Sequence, residues 1–307
     1  HDVMNELAKR GYEGVGSDIA PEYSGAADGS AVTEMPYVQL DITDKEAVEK
    51  VLTEIKPDVV VHCAAWTAVD LAEDDDKVEK VRKVNVTGTE NIALTCKKLD
   101  CKMVYLSTDY VFDGMGTEPW QPDCKTYKPL NVYGETKLGG ELAVSENLEK
   151  YFIVRIAWVF GVNGKNFIKT MLNLGKTHDK LTVVCDQIGT PTYTYDLARL
   201  LVDMIETEKY GYYHATNEGG YISWYDFTKE IFRQAIEQGH TEYAKVEVKP
   251  VTTAEYGASK AKRPFNSRLD KSKLVENGFK SKLVENGFKP LPTWQDALGR
   301  YLKEIEF

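Results

Sequence analysis

Asp58-Val59-Val60-Val61-His62 is a short apolar run between two longer amphipathic stretches, and its reading decides the fold. Such a run is expected of a strand buried on both faces, as in a parallel sheet covered by helices. Upstream, Asp44 to Ile55 places Val48, Leu52 and Ile55 at i, i+4 and i+7, the spacing of one helical face. Before it, Met4 to Arg10 reads as a helix ended by Gly11, and Gly14 to Asp18 as a short strand ending in an acid. Downstream, a long helical stretch covers Val78 to Leu99, and Met103-Val104-Tyr105-Leu106-Ser107 is the next strand. A helix from Tyr133 to Leu148 and a strand from Phe152 to Phe160 follow. Strand and helix alternate throughout, which predicts an α/β fold, a Rossmann-type doubly wound parallel sheet with helices on both sides.

After Gly161 the rhythm loosens. Helical segments at Asn166–Leu174, Asp196–Ile205, Trp224–Gln238 and Trp294–Ile305 are separated by polar or Gly/Pro-rich loops. This divides the chain into a dinucleotide-binding region, residues 1–160, and a smaller, mainly substrate-binding region, residues 161–307, some of whose segments return to the main sheet. A cap of that kind closes the crevice at the carboxyl ends of the strands. The sequence opens inside a helix, at His1-Asp2-Val3-Met4. The first central strand and the glycine-rich turn that a dinucleotide fold needs are expected to precede it. Ser272–Lys280 and Ser281–Lys289 both read SKLVENGFK. Each copy looks like a short helix closed by Asn-Gly, and only one is expected to have a place in the fold.

The 307 residues carry 48 acidic and 38 basic side chains, a formal charge of −10 that argues against broad binding to nucleic acid or anionic membrane. No stretch approaches the length of a membrane span. Cys63, Cys96, Cys101, Cys124 and Cys185 are an odd set without paired spacing, read as free thiols in a reducing cytosol. A cytoplasmic protein, monomer or homodimer, is the expectation. His178, His214 and His240 form no metal-binding spacing, and His62 reads as a satisfied strand-end residue. The run Glu73-Asp74-Asp75-Asp76 reads as a solvated loop before a helix.

The chemistry gathers at Tyr133-Gly134-Glu135-Thr136-Lys137, preceded by Ser107-Thr108. Tyr and Lys four apart on a helix share a face. A lysine ammonium there is expected to lower the phenol's pKa, making tyrosine a usable proton donor to a carbonyl oxygen as hydride arrives at its carbon. A hydroxyl at the preceding strand end, Thr108, suits holding that oxygen. Alone, Tyr-x-x-x-Lys is a weak signal; its place between two strands strengthens it.

The stretches His62-Cys63-Ala64-Ala65-Trp66-Thr67-Ala68-Val69-Asp70, Leu106-Ser107-Thr108-Asp109-Tyr110-Val111-Phe112-Asp113-Gly114 and Pro129-Leu130-Asn131-Val132-Tyr133-Gly134-Glu135-Thr136-Lys137 resemble the extended short-chain dehydrogenase/reductase family. Arg155-Ile156-Ala157-Trp158-Val159-Phe160 and Arg263-Pro264-Phe265-Asn266-Ser267-Arg268-Leu269 extend the resemblance over almost the whole chain. It is to members that reduce the 4-keto group of a nucleotide-linked deoxysugar with NADH or NADPH. The resemblance implies Thr108, Tyr133 and Lys137 as the catalytic set, with Tyr133 protonating the sugar C4 oxygen and Lys137 also reaching the nicotinamide ribose. Asp18 would contact the adenosine ribose, which leans toward NADH because an acid repels a 2′-phosphate. Asp41 and Ile42 would flank the adenine, and Ala64, Ala65 and Thr67 would line the cofactor. Asp109, Tyr110 and Trp158 are implied on the sugar side, and Arg263 with Asn266 at the nucleotide end. Gln187 is a weaker substrate-loop candidate.

Two other readings stay open. Sugar-nucleotide dehydratases of this superfamily typically follow the Thr-Asp with Glu; here Tyr110 stands there, which disfavours dehydration, while an epimerase uses the same Tyr and Lys. The regulatory β subunit of methionine adenosyltransferase resembles the same subfamily, so a non-catalytic cofactor-binding module is the second class of reading.

Overall fold

The computed structural model describes residues 1–25, 35–257, 259–279 and 291–307. Helix α1 (Asp2–Lys9) leads to β1 (Gly16–Asp18), which pairs in parallel with β2 (Tyr37–Gln39). Asp44 caps α2 (Lys45–Ile55), its carboxylate accepting from the Ala47 N–H at 2.9 Å, and the helix buries Val48 and Leu52. Then comes a four-stranded parallel sheet of β3 (Val59–His62), β4 (Lys102–Thr108), β5 (Tyr151–Ile156) and β10 (Gly211–His214), ordered β10-β5-β4-β3. The α/β parallel fold is therefore as the alternation predicts.

Side chains of β4 alternate between the two faces. Met103 and Tyr105 join Ile92, Cys96, Val144 and Ile153 under the helices α4 (Thr89–Leu99) and α5 (Val132–Asn147). Val104, with Phe152 and Val154, packs on the opposite face against Leu197, Leu200, Leu201 and Met204 of α7 (Thr194–Ile205). Each such side chain contributes about 1.5–3 kcal/mol by leaving water. The strand β3 departs from expectation. Val59, Val60 and Val61 are only half-buried, because among the described residues β3 pairs on one edge alone, with β4.

The helix expected over Val78–Leu99 is α3 (Val78–Arg82) and α4 joined through a π-helical turn, Lys83–Gly88. The strand expected over Phe152–Phe160 is broken at Ala157-Trp158. Beyond the break, β6 (Val159–Phe160) leaves the main sheet and pairs with β9 (Thr192–Tyr193). The remaining core gathers Phe160, Ile168, Leu172, Phe227, Ile231, Trp294 and Tyr301 from β6, α6 (Phe167–Thr177), α8 (Trp224–Glu237) and α11 (Trp294–Glu304). At its margin β7 (Lys180–Val184) and β12 (Glu247–Val251) run parallel, the short α9 (Thr253–Tyr256) follows β12, and β8 (Ile188–Gly189) pairs with β11 (Ile222–Ser223). In the first nonapeptide copy, α10 (Ser272–Glu276) is followed by Gly278 at φ +74°, and Leu274 and Phe279 are buried. The second copy, Ser281–Lys289, lies outside the described residues. All five cysteines are free thiols.

Candidate active site

The carboxyl ends of β3, β4 and β5 open toward the N-terminal half of α5. Three contacts fix that helix start. Asn131 accepts the Gly134 N–H at 2.8 Å and donates to the Lys262 carbonyl at 2.8 Å. Glu73 accepts the Val132 N–H at 2.7 Å. Gly134 is required by proximity: a Cβ there would lie 2.3 Å from the Tyr110 carbonyl oxygen. Tyr133 and Lys137 are thereby brought against the turn Thr108–Val111. The acidic run is not simply solvated, since Glu73 caps the helix and Asp74 pairs with Lys260.

Tyr133 stands edge-on to Tyr110, with ring centres 5.4 Å apart. Burial pushes its phenol pKa up, the Thr108 hydroxyl pulls it down, and Asp109 pushes it up again. Lys137 does not play the part expected of it here. The residue is 4% exposed, and its ammonium donates to the Leu106 carbonyl at 2.8 Å and lies 4.1 Å from the centre of the Tyr105 ring. Burial brings its pKa down to about 7, against the opposing pull of Glu141. The neighbour that lowers the phenol in this arrangement is Thr108, because the lysine is drawn to the strand carbonyl.

Thr108 donates to Asp109 Oδ1 at 3.0 Å. Asp109 is 1% exposed, and among the described residues its other carboxylate oxygen has no hydrogen-bond partner. Burial pushes the Asp109 pKa up to about 6, with Ser267 and Thr108 working the other way. The Ser107 hydroxyl is also buried without a partner among the described residues. A lysine ammonium has three protons and the carboxylate several lone pairs, so the site holds unspent donors and acceptors. That inventory fits a polyhydroxylated ligand and a ribose.

On the other side, Asp18 is exposed at the end of β1, accepting the Ala20 N–H at 3.1 Å. Asp41 is exposed and holds Thr43, and the Ile42 carbonyl accepts from Asn91 at 3.0 Å. Ala64 and Thr67 are exposed and Ala65 half-buried on the loop after β3. Small residues at that strand end leave room for a flat, extended cofactor, which the site therefore fits. Asn85 was not singled out from the sequence. It is buried, accepts the Trp66 N–H at 2.7 Å and donates to the Trp66 carbonyl and to Thr136, tying the loop to α5. Its only sequence signal is an Asn inside an amphipathic helix, which the π-turn converts to an inward-facing amide. His62 is held neutral, its pKa taken down to about 3 by burial, and bonds Thr89 at 3.0 Å.

Of the residues expected on the substrate side, Tyr110 lies against Tyr133 and Trp158 against Trp224. Trp158 takes φ +52°, a conformation costing a bulky residue about 1–2 kcal/mol. Arg263 does not present an open guanidinium. It grips Asp70 with two bonds, at 3.0 and 2.7 Å, and this pairing holds the Asp70 carboxyl below its ordinary range. Asn266 is turned into the chain, donating to the Met115 and Glu118 carbonyls and accepting from Arg268. Gln187 is buried and donates to Thr253 at 3.1 Å.

A parallel sheet with a Tyr-x-x-x-Lys helix at its carboxyl edge defines the class: a Rossmann-fold protein built on the short-chain reductase plan. Residues 6–307 match the model of the RmlD substrate binding domain, and the chain belongs to that family. An Aggregatibacter actinomycetemcomitans protein named dTDP-4-dehydrorhamnose reductase is 40% identical over 251 residues, 80% of this chain and 83% of its own length. A crystal structure of dTDP-4-dehydrorhamnose reductase from Bacillus anthracis in complex with NADP superposes with a TM-score of 0.75 at 38% identity, covering 89% of this chain and 91% of that one. The ortholog from Clostridium acetobutylicum gives 0.77 at 39% identity, covering 90% and 92%.

Proposed function

We propose that the chain reduces the 4-keto group of dTDP-4-dehydro-L-rhamnose to dTDP-L-rhamnose, using NADH or NADPH. The observation that carries this reading is the convergence of Thr108, Asp109, Tyr133 and Lys137 at one strand end, with buried polar capacity left unspent. Its relatives' names supply the sugar nucleotide.

A nicotinamide cofactor, when held there, would supply the hydride for the carbonyl carbon. Tyr133 then delivers the phenolic proton to the C4 oxygen, and Thr108, already beside the phenol, holds that oxygen in line. Proximity of this kind accounts for much of a catalytic rate. Lys137 is kept close by the Leu106 carbonyl, with two protons still to give to ribose hydroxyls. Asp18, Asp41, Ile42, Ala64, Ala65 and Thr67 border the cofactor, and Tyr110, Trp158 and Asp109 the sugar. Arg263, Asn266 and Gln187 shape the nucleotide side through the loops they hold. Residues 1–160 mainly carry the cofactor and 161–307 mainly the substrate. The protein works in the cytoplasm as a monomer or homodimer, on a small-molecule substrate rather than nucleic acid. Full-length protein mixed with either reduced cofactor and the keto sugar nucleotide should consume both in equal amounts. A folded protein that binds cofactor yet consumes none would refute the reductase reading in favour of a binding subunit.

A further inference from the structure

Trp158 sits where β5 breaks, in a left-handed backbone conformation that a large side chain does not adopt unaided. Two neighbours hold it. The Trp224 indole, at the first position of α8, lies flat on it, with ring centres 3.6 Å apart and planes at 13°. Phe167 backs Trp224 at 4.5 Å. On another side the Gly189 backbone closes in, so that a Cβ there would come within 2.9 Å of the indole. Gly189 belongs to a small sheet in which β8 pairs with β11 and bridges to Asn266. The Trp158 carbonyl also accepts the Thr192 N–H at 3.1 Å.

We propose that Trp224 and Gly189 are positioning residues that clamp the Trp158 indole in the one orientation in which it meets the sugar of the substrate. The proposal rests on the assignment of Trp158 to the sugar side. Both clamp members lie in the C-terminal half, outside the Thr108–Tyr133–Lys137 cluster. Loosening the clamp therefore acts on sugar affinity and leaves cofactor binding alone. Stacked indoles couple their electronic transitions, so the pair carries a far-ultraviolet exciton couplet in circular dichroism that reports the stack directly.

The test compares full-length Trp224→Leu, Trp224→Phe, Gly189→Ala and Trp158→Ala. Trp224→Leu keeps apolar bulk but should lose the couplet and raise KM for the keto sugar nucleotide about tenfold, with kcat and the cofactor Kd within about twofold. Trp224→Phe keeps a ring for Trp158 to stack on and should restore most of the KM. Gly189→Ala displaces the same indole from its other contact and should also raise KM. Adding Trp224→Leu to Trp158→Ala should cost nothing more. A lost couplet with unchanged KM in Trp224→Leu, while Trp158→Ala raises KM, overturns the clamp alone. Unchanged KM in Trp158→Ala overturns the assignment of Trp158 itself, and cofactor affinity falling in step with KM marks general damage and also overturns the clamp.

Discussion

At Asp109 the chain places a carboxyl group in nearly complete burial, with one oxygen bonded to Thr108 and the other without a partner among the described residues. Its folded pKa of about 6 lies above the ordinary 3.8. The folded chain therefore binds more protons than the unfolded one between those values, and stability falls as pH rises through that window. The shift corresponds to something on the order of 3 kcal/mol. Asp109→Asn should abolish this slope and unfold at higher urea above the window, provided Asn keeps the Thr108 contact. A slope that survives in the variant would place the titration elsewhere. Tyr133, Thr108 and Lys137 were legible as a set, because residue type and i, i+4 spacing carry that information. The direction of Lys137 was not, since the pull of the Leu106 carbonyl depends on how closely α5 approaches β4. Arg263 was legible as a cation near the site, but its partner Asp70 is 193 positions away in sequence.

Among the elements, α5 matters most, because it carries both Tyr133 and Lys137 and its start is held by residues distant in sequence. Glu73 was read as part of a solvated acidic run. Its contact with Val132 is a tertiary cap, invisible to local pattern. Glu73→Ala should cost about 1 kcal/mol, measured by urea unfolding, as loss of a side-chain cap at a helix start does. No change in midpoint would show that Asn131 caps the helix unaided. Helices with strong apolar spacing, such as α2 and α8, were legible to within a residue or two. The two-residue strands were not, although the three-residue β1 was. Too short for alternation to register, β6, β8, β9 and β11 exist because the loops bring partners to them. The π-turn at Lys83–Gly88 was hidden for the same reason, since one extra residue per turn leaves apolar spacing nearly intact.

Across the molecule, a buried ion pair joins α5 to the sheet. Arg155 of β5 grips Glu141 of α5 with two bonds of 2.8 Å, both side chains fully buried, while the Pro122 carbonyl, the Tyr127 hydroxyl and His214 Nε2 take its remaining donors. Glu141 also draws Lys137 toward its charged form. Arg155→Met alone should cost about 3–5 kcal/mol by stranding the carboxylate, and Arg155→Met with Glu141→Leu should recover most of it. Equal losses in the single and double variants would mean that packing, not charge, sets the cost. The whole-molecule plan was the most legible level, because alternation of strand and helix permits few topologies. The segments after Gly161 that were expected to return to the main sheet are α7, which packs on its face, and β10, which pairs with β5.

The measurement that bears most directly on the central claim is the rate of reduced-cofactor oxidation with dTDP-4-dehydro-L-rhamnose, for full-length wild type and for Tyr133→Phe. The wild type should turn over, and loss of the phenolic proton should lower kcat by roughly 10²–10⁴-fold with the cofactor Kd within about twofold. A Tyr133→Phe protein that reduces the sugar at the wild-type rate would contradict the account.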